Sequence, residues 1–217
     1  MHMQLTCQAI LFDIDGTLVD STSAIERIWR TWADEYGLRA DEILATSHGR
    51  RSEEVLREHL PAGQIPAAHA RLLEIERSAA GETRALPGTC ELLGQLLDGT
   101  WATVTSGKRA VMESRLHVAG LPVPEVFVAA DDVTVGKPDP EGYLAAARAL
   151  GVDPRACLVI EDAPAGVRAG LAAGAHVLAV GTSHPLSALG EAHACVPDLT
   201  ACSMTVGDAG ITVEIRS

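Results

Sequence analysis

The sequence predicts an α/β protein, a doubly wound and mainly parallel sheet core with an inserted α-helical cap domain. Three observations carry that reading. Five short runs are apolar at consecutive positions, as strands covered on both faces must be. Helix-like segments closed by glycines separate the later runs. The stretch 20–85 breaks the alternation, because it has helical periodicity and no convincing strand run.

Residues 9–12 (Ala-Ile-Leu-Phe) are the first strand run, so 1–19 is assigned to the core. Within 20–85, apolar residues recur at helical spacing: Ile25, Ile28, Trp29 and Trp32, then Val55, Leu56 and Leu60, then Leu72, Leu73 and Ile75. Trp29 and Trp32 read as the core of this helical cap rather than as a ligand platform. Leu86-Pro87-Gly88 has the character of a linker, and the core resumes over 86–217. There the strand runs 101–105, 126–129, 157–160 and 177–180 alternate with helices expected over 107–118, 140–150 and 164–173. Gly120, Gly151 and Gly174 stand where helices end, and Pro140 and Pro164 stand near helix starts. The tail is expected to form a short hairpin, 204–206 against 211–215, about Gly207-Asp208-Ala209-Gly210. A strand–helix alternation of this kind makes the core Rossmann-like.

Composition narrows the function. A net charge of −12 repels nucleic acid and anionic lipid, so neither is an expected partner. Aromatics are only 3 %, leaving Ala, Leu, Val and Ile to build the core. Cys7, Cys90, Cys157, Cys195 and Cys202 show neither a CxxC pair nor zinc spacing, and read as free thiols of a cytoplasmic protein. No apolar run approaches the ~20 residues of a membrane span. No exposed heptad or large apolar face stands out to fix the oligomeric state, and the expectation is a monomer or small homo-oligomer.

The chemistry concentrates at the predicted strand ends, where open parallel sheets bind ligands. Asp13-Ile14-Asp15-Gly16-Thr17-Leu18 follows the first run. Two carboxylates this close repel each other in a partly desolvated site, a cost that a divalent cation relieves. One Asp can then serve the reacting centre while the other transfers a proton. Thr105-Ser106-Gly107 ends the second run and opens a helix. A hydroxyl with backbone N–H groups there can bind an anion, although Ser is also a common plain cap. Gly136-Lys137-Pro138-Asp139-Pro140 follows the third run, its prolines stiffening the loop around Lys137. Glu161-Asp162 follows the fourth and offers carboxylate oxygens to a hard cation such as magnesium.

These four segments, in this order, resemble the signature motifs of the haloacid dehalogenase superfamily over nearly the whole chain. The resemblance implies that Asp13 is a nucleophile and Asp15 a general acid/base. It also implies magnesium held by the Asp13 carboxylate, the Asp15 backbone carbonyl and Asp162, with Glu161 nearby, and a phosphoryl group bound by Ser106 and Lys137. Thr105 and Gly107 belong to the same phosphate-binding segment. Ser47-His48-Gly49-Arg50-Arg51 and 159–166 resemble the branch that includes glycerol-phosphate, 2-deoxyglucose-6-phosphate and other sugar phosphatases. The expected activity is therefore magnesium-dependent hydrolysis of a small phosphorylated metabolite through an aspartyl-phosphate. Arg51, more than His48 or Arg50, is the cap residue expected to reach the substrate.

Two rivals differ in identifiable residues. β-Phosphoglucomutase-like isomerases share the core motifs but carry a His about a dozen residues after the nucleophile, where this chain has Ile25. Phosphate-accepting receiver domains or non-catalytic binders share an acceptor Asp and a Lys. Receiver domains lack the helical insertion, and a degenerate binder is expected to have lost Asp13 or Lys137.

Overall fold

The computed structural model describes residues 2–79, 83–207 and 210–216. The chain opens with β1 (His2–Cys7) and β2 (Ala9–Phe12). It crosses into the cap through β3 (Val19–Asp20), and builds there α1 (Thr22–Glu35), α2 (Ala40–Ser47), α3 (Ser52–His59) and α4 (Ile65–Ala79). It returns through β4 (Arg84–Ala85). The crossings lie side by side, with Val19 paired to Ala85 and Asp20 to Arg84.

The rest of the core runs α5 (Thr89–Leu93), β5 (Trp101–Val104), α6 (Arg109–Val118), β6 (Val126–Val128), α7 (Glu141–Leu150), β7 (Cys157–Glu161), α8 (Pro164–Ala172), β8 (His176–Val180) and β9 (Ala194–Val196). Six of the strands form one parallel sheet in the order β6-β5-β2-β7-β8-β9. β2 is thus central, and its C-terminal end lies between those of β5 and β7. β10 (Cys202–Gly207) and β11 (Gly210–Arg216) form the expected hairpin, whose turn residues 208 and 209 lie outside the described residues. β1 joins the hairpin by pairing with β11.

Alternation along the strands explains the layers. Ile10, Phe12, Leu158, Ile160, Leu178 and Val180 share one apolar cluster with Val111, Met112 and Leu116 of α6 and with Met204, Ile211 and Val213 of the small sheet. Their neighbours Leu11, Val159, Val177 and Ala179 join a second cluster with Tyr143, Ala146 and Ala147 of α7 and Val167 of α8. Both faces are covered, which is why these strands read as continuous apolar runs. The cap has its own core around the fully buried Trp32, whose indole N–H donates to the Ala68 carbonyl at 3.0 Å. Truncating such a side chain to Ala costs about 3–5 kcal/mol.

Several features differ from the sequence reading, among them the strands β1, β3 and β4, which no apolar run announces. The sheet has a sixth strand, β9, whose Ala194-Cys195-Val196 is too short to register as a run. The helix expected from 107 begins at Arg109, because the Asp131 carboxylate accepts the Arg109 amide at 2.9 Å and caps it from another loop. Ser106 therefore precedes the helix instead of capping it.

Candidate active site

Asp13 follows β2 directly, with its amide donating to Ile160 O at 3.0 Å and the residue only 4 % exposed. Gly16 turns the chain with φ +84°, and a Cβ there would overlap the Asp162 carboxylate. This position needs glycine for both reasons. Thr182 Oγ1 donates to the Gly16 carbonyl, tying the turn to the loop after β8.

Lys137 is 5 % exposed and reaches under the sheet edge. Its ammonium donates to Asp13 Oδ1 at 2.6 Å, Glu161 Oε1 at 2.6 Å and Val104 O at 3.0 Å. Glu161 Oε1 also accepts Tyr143 Oη at 2.8 Å, while Oε2 accepts the amides of Asp162 at 3.0 Å and Ala163 at 3.3 Å. Asp162 is held by Ser183 Oγ and, at 3.4 Å, by Thr17 Oγ1.

Three buried carboxylates, those of Asp13, Glu161 and Asp162, thus face one buried ammonium, with two negative charges uncompensated. Burial pushes Asp13 well above the usual carboxylate range, Lys137 opposes this, and Glu161 and Asp162 add to it. Asp162 is pushed up to about 8, by burial first and then by the Glu161 charge. Burial by itself would lower Lys137, but Asp13 and Glu161 raise it above the usual lysine range, so it stays charged. Burial and the same carboxylates hold Tyr143 in its phenol form, a donor to Glu161.

The donor set fits a divalent cation. Asp13, Glu161 and Asp162 each offer a carboxylate oxygen within 4.8 Å of the others, and the charge excess matches a doubly positive ion. Glu161 stands apart within the trio, because both its oxygens are already occupied by Lys137, Tyr143 and two amides.

A cavity of about 80 Å³ opens over this cluster between core and cap. Asp13, Asp15, Thr105, Ser106, Gly107 and Asp162 line its core side. Asp15 Oδ2 accepts from Arg115 Nη1, while its Oδ1 is buried without a hydrogen-bond partner among the described residues. Thr105 Oγ1 accepts the Gly107 amide at 3.1 Å, and Ser106 Oγ donates to Gly49 O of the cap at 2.8 Å.

The cap residues divide. His48 and Arg50 line the cavity, but Arg50 is paired with Glu58 at 2.6 Å. Arg51 lies outside it. Its guanidinium donates to Thr134 O at 2.8 Å, clasping the loop that carries Lys137, and Glu54 accepts the Gly136 amide of that loop at 3.1 Å.

Sequence reasoning passed over Arg115, Tyr143, Ser183 and His184. Arg115 had a readable signal, since Val111, Met112, Arg115 and Leu116 share the buried stripe of α6 and a charge on such a stripe needs a partner. His184, whose Nδ1 lies 3.1 Å from Asp162 O and whose ring packs edge-on against His48, had no signal in its spacing.

Comparison with known proteins gives a consistent result. The family model for haloacid dehalogenase-like hydrolase matches residues 7–174. Over 207 residues the chain is 45 % identical to hexitol phosphatase A of Escherichia coli (strain K12), covering 93 % of this chain and 95 % of that protein. It is 33 % identical over 239 residues to 2-deoxyglucose-6-phosphate phosphatase 1 of Saccharomyces cerevisiae, covering 99 % and 97 %. A crystal structure of a hydrolase from Pseudomonas syringae superposes with a TM-score of 0.82 at 26 % identity, covering 89 % of this chain and 94 % of that one.

Proposed function

The chain belongs to the haloacid dehalogenase-like hydrolases, and from that premise we propose that it is a magnesium-dependent phosphatase of small sugar or polyol phosphates. The observation that carries the reading is the buried cluster of Asp13, Glu161 and Asp162, the first two paired with Lys137, beneath a cavity between core and cap.

In this reading Asp13 attacks phosphorus with the oxygen that Lys137 leaves free, forming an Asp13 acyl phosphate as the bond from phosphorus to the leaving alcohol oxygen breaks. Asp15 gives its proton to the departing alkoxide through the unpartnered Oδ1, while Arg115 holds Oδ2 and fixes the carboxyl. Water then attacks phosphorus, Asp15 takes its proton, and Asp13 is restored. Lys137 and the Thr105–Gly107 segment bind phosphoryl oxygens. Glu161 acts through Lys137, holding its ammonium in place. A magnesium ion held by Asp13, Asp162 and the Asp15 backbone carbonyl supplies positive charge to those oxygens when bound.

Transfer to water, rather than back to a sugar, is supported by Ile25, an apolar residue lining the cavity where mutases carry a histidine. Five free cysteines support a reducing, cytoplasmic setting, and no helix among the described residues is long and apolar enough to cross a membrane. The test is phosphate release from a panel of hexitol, glycerol and hexose phosphates with magnesium. Wild type is expected to release phosphate and Asp13→Asn to lose at least about 10⁴-fold in rate. Equal rates in the two proteins would sink the assignment.

A further inference from the structure

The cap gives the cavity Ile25, Ile28, Trp29, Ser47 and Glu76, none of which the mechanism uses. Ser47 ends α2 and is 6 % exposed, yet its hydroxyl has no hydrogen-bond partner among the described residues. Leaving a buried hydroxyl unpaired is unfavourable, so a ligand group that pairs it is favoured there. Glu76 enters from α4, where its Oε1 accepts from Ser52 Oγ at 3.3 Å. Glu76, Arg115 and Asp15 all line the cavity; burial raises the Glu76 pKa, Arg115 opposes the shift, and Asp15 adds to it.

The cations around this space are already engaged. Arg115 is paired with Asp15 and Arg50 with Glu58, while Lys137 is shared between Asp13 and Glu161. A substrate whose second end is a carboxylate or another phosphate meets Glu76 and finds none of these cations unpaired. Hydroxyls at that end have a partner in Ser47 and an acceptor in Glu76, and the carbon skeleton has Trp29, Ile25 and Ile28 to pack on.

We propose that Ser47 and Glu76 form the subsite for the neutral, hydroxylated end of the substrate, and that Glu76 excludes phosphate esters bearing a second anionic group. The inference rests on the phosphatase reading and narrows its substrate class to monophosphates of uncharged polyols and sugars.

The test compares kcat/KM for glycerol 3-phosphate and 3-phosphoglycerate, which place a hydroxymethyl and a carboxylate at the same position. Wild type is expected to prefer glycerol 3-phosphate. Glu76→Lys should shift the ratio of the two values toward 3-phosphoglycerate by at least about tenfold, since like-charge juxtaposition is replaced by attraction. Glu76→Gln, nearly the same shape, should shift it in the same direction by a smaller factor, and Ser47→Ala should raise KM for glycerol 3-phosphate several-fold. Thermal unfolding identifies which variants are folded. A ratio unmoved within about twofold in a folded Glu76 variant would overturn the subsite. p-Nitrophenyl phosphate separates the two levels of the account. Hydrolysis of it by wild type with an unmoved ratio removes the subsite alone, whereas no hydrolysis of any of the three compounds by wild type removes the phosphatase reading and the subsite with it.

Discussion

At the ends of β2 and β7, each of the four buried charges of Asp13, Lys137, Glu161 and Asp162 is held by protein groups before any substrate arrives. In the cap the groups facing the same cavity are less complete: the buried Ser47 hydroxyl has no hydrogen-bond partner among the described residues. The contrast separates two tasks. Reorganising buried charge during phosphoryl transfer is costly, so the core is preorganised. Selection among small metabolites needs groups that a correct ligand completes and a wrong one leaves unpaired. Breaking the core should therefore cost both stability and rate, and altering the cap should mainly change which substrate is used.

The largest effect is expected from Lys137→Met. It leaves Asp13 and Glu161 buried without their shared cation, so unfolding in urea without magnesium should show a loss of about 3–5 kcal/mol. The rate should fall by about 10²–10³ or more, as when an oxyanion donor is removed. A variant as stable as wild type would show that the core charges are not balanced against one another as described.

The next effect comes from the excess of buried carboxylates over cations. Asp162 rises to about 8 in the folded chain, against about 4 for an unfolded aspartate. The folded, metal-free protein therefore binds the extra proton between those values, and its stability falls as pH rises through that window. In chelator, the melting temperature should be lower at pH 8.5 than at pH 5.5. Magnesium should flatten the decline, with its larger stabilisation at the higher pH. A melting temperature that rises with pH in chelator would contradict the charge excess.

A smaller effect is expected where the cap touches the core. Gly49 has φ +73°, and a Cβ there would come within 2.7 Å of the Ala163 Cβ. Gly49→Val should hold the cap off the core and lower kcat/KM severalfold in steady-state assays. An unchanged value would mean that close seating of the cap is not needed for turnover. Arg51→Ala, which loses the clasp on Thr134 O, should have the smallest effect, a rise in KM of about two- to fivefold.

The same division explains what could be read from the sequence. Asp13, Lys137, Glu161 and Asp162 were legible because a parallel sheet brings its strand ends together, so placing the strands also placed these residues. The helical cap was legible from its apolar spacing. β1 was not, because its strand character depends on pairing with β11 almost the whole chain away, a non-local contact without local signature. Arg51 was expected over the substrate but lies against the loop of residues 133–136, since helical periodicity fixes a face and not what another domain presents to it. Ser47 and Glu76 were passed over for the same reason.

The most direct test of the central claim is rapid quenching of turnover with a hexitol phosphate and magnesium, followed by mass spectrometry of the acid-quenched peptides. The account predicts a transient phosphate on the peptide containing Asp13, absent from Asp13→Asn. Continued turnover with phosphate on another residue, or on none under conditions where hydrolysis of the acyl phosphate is the slow step, would contradict it.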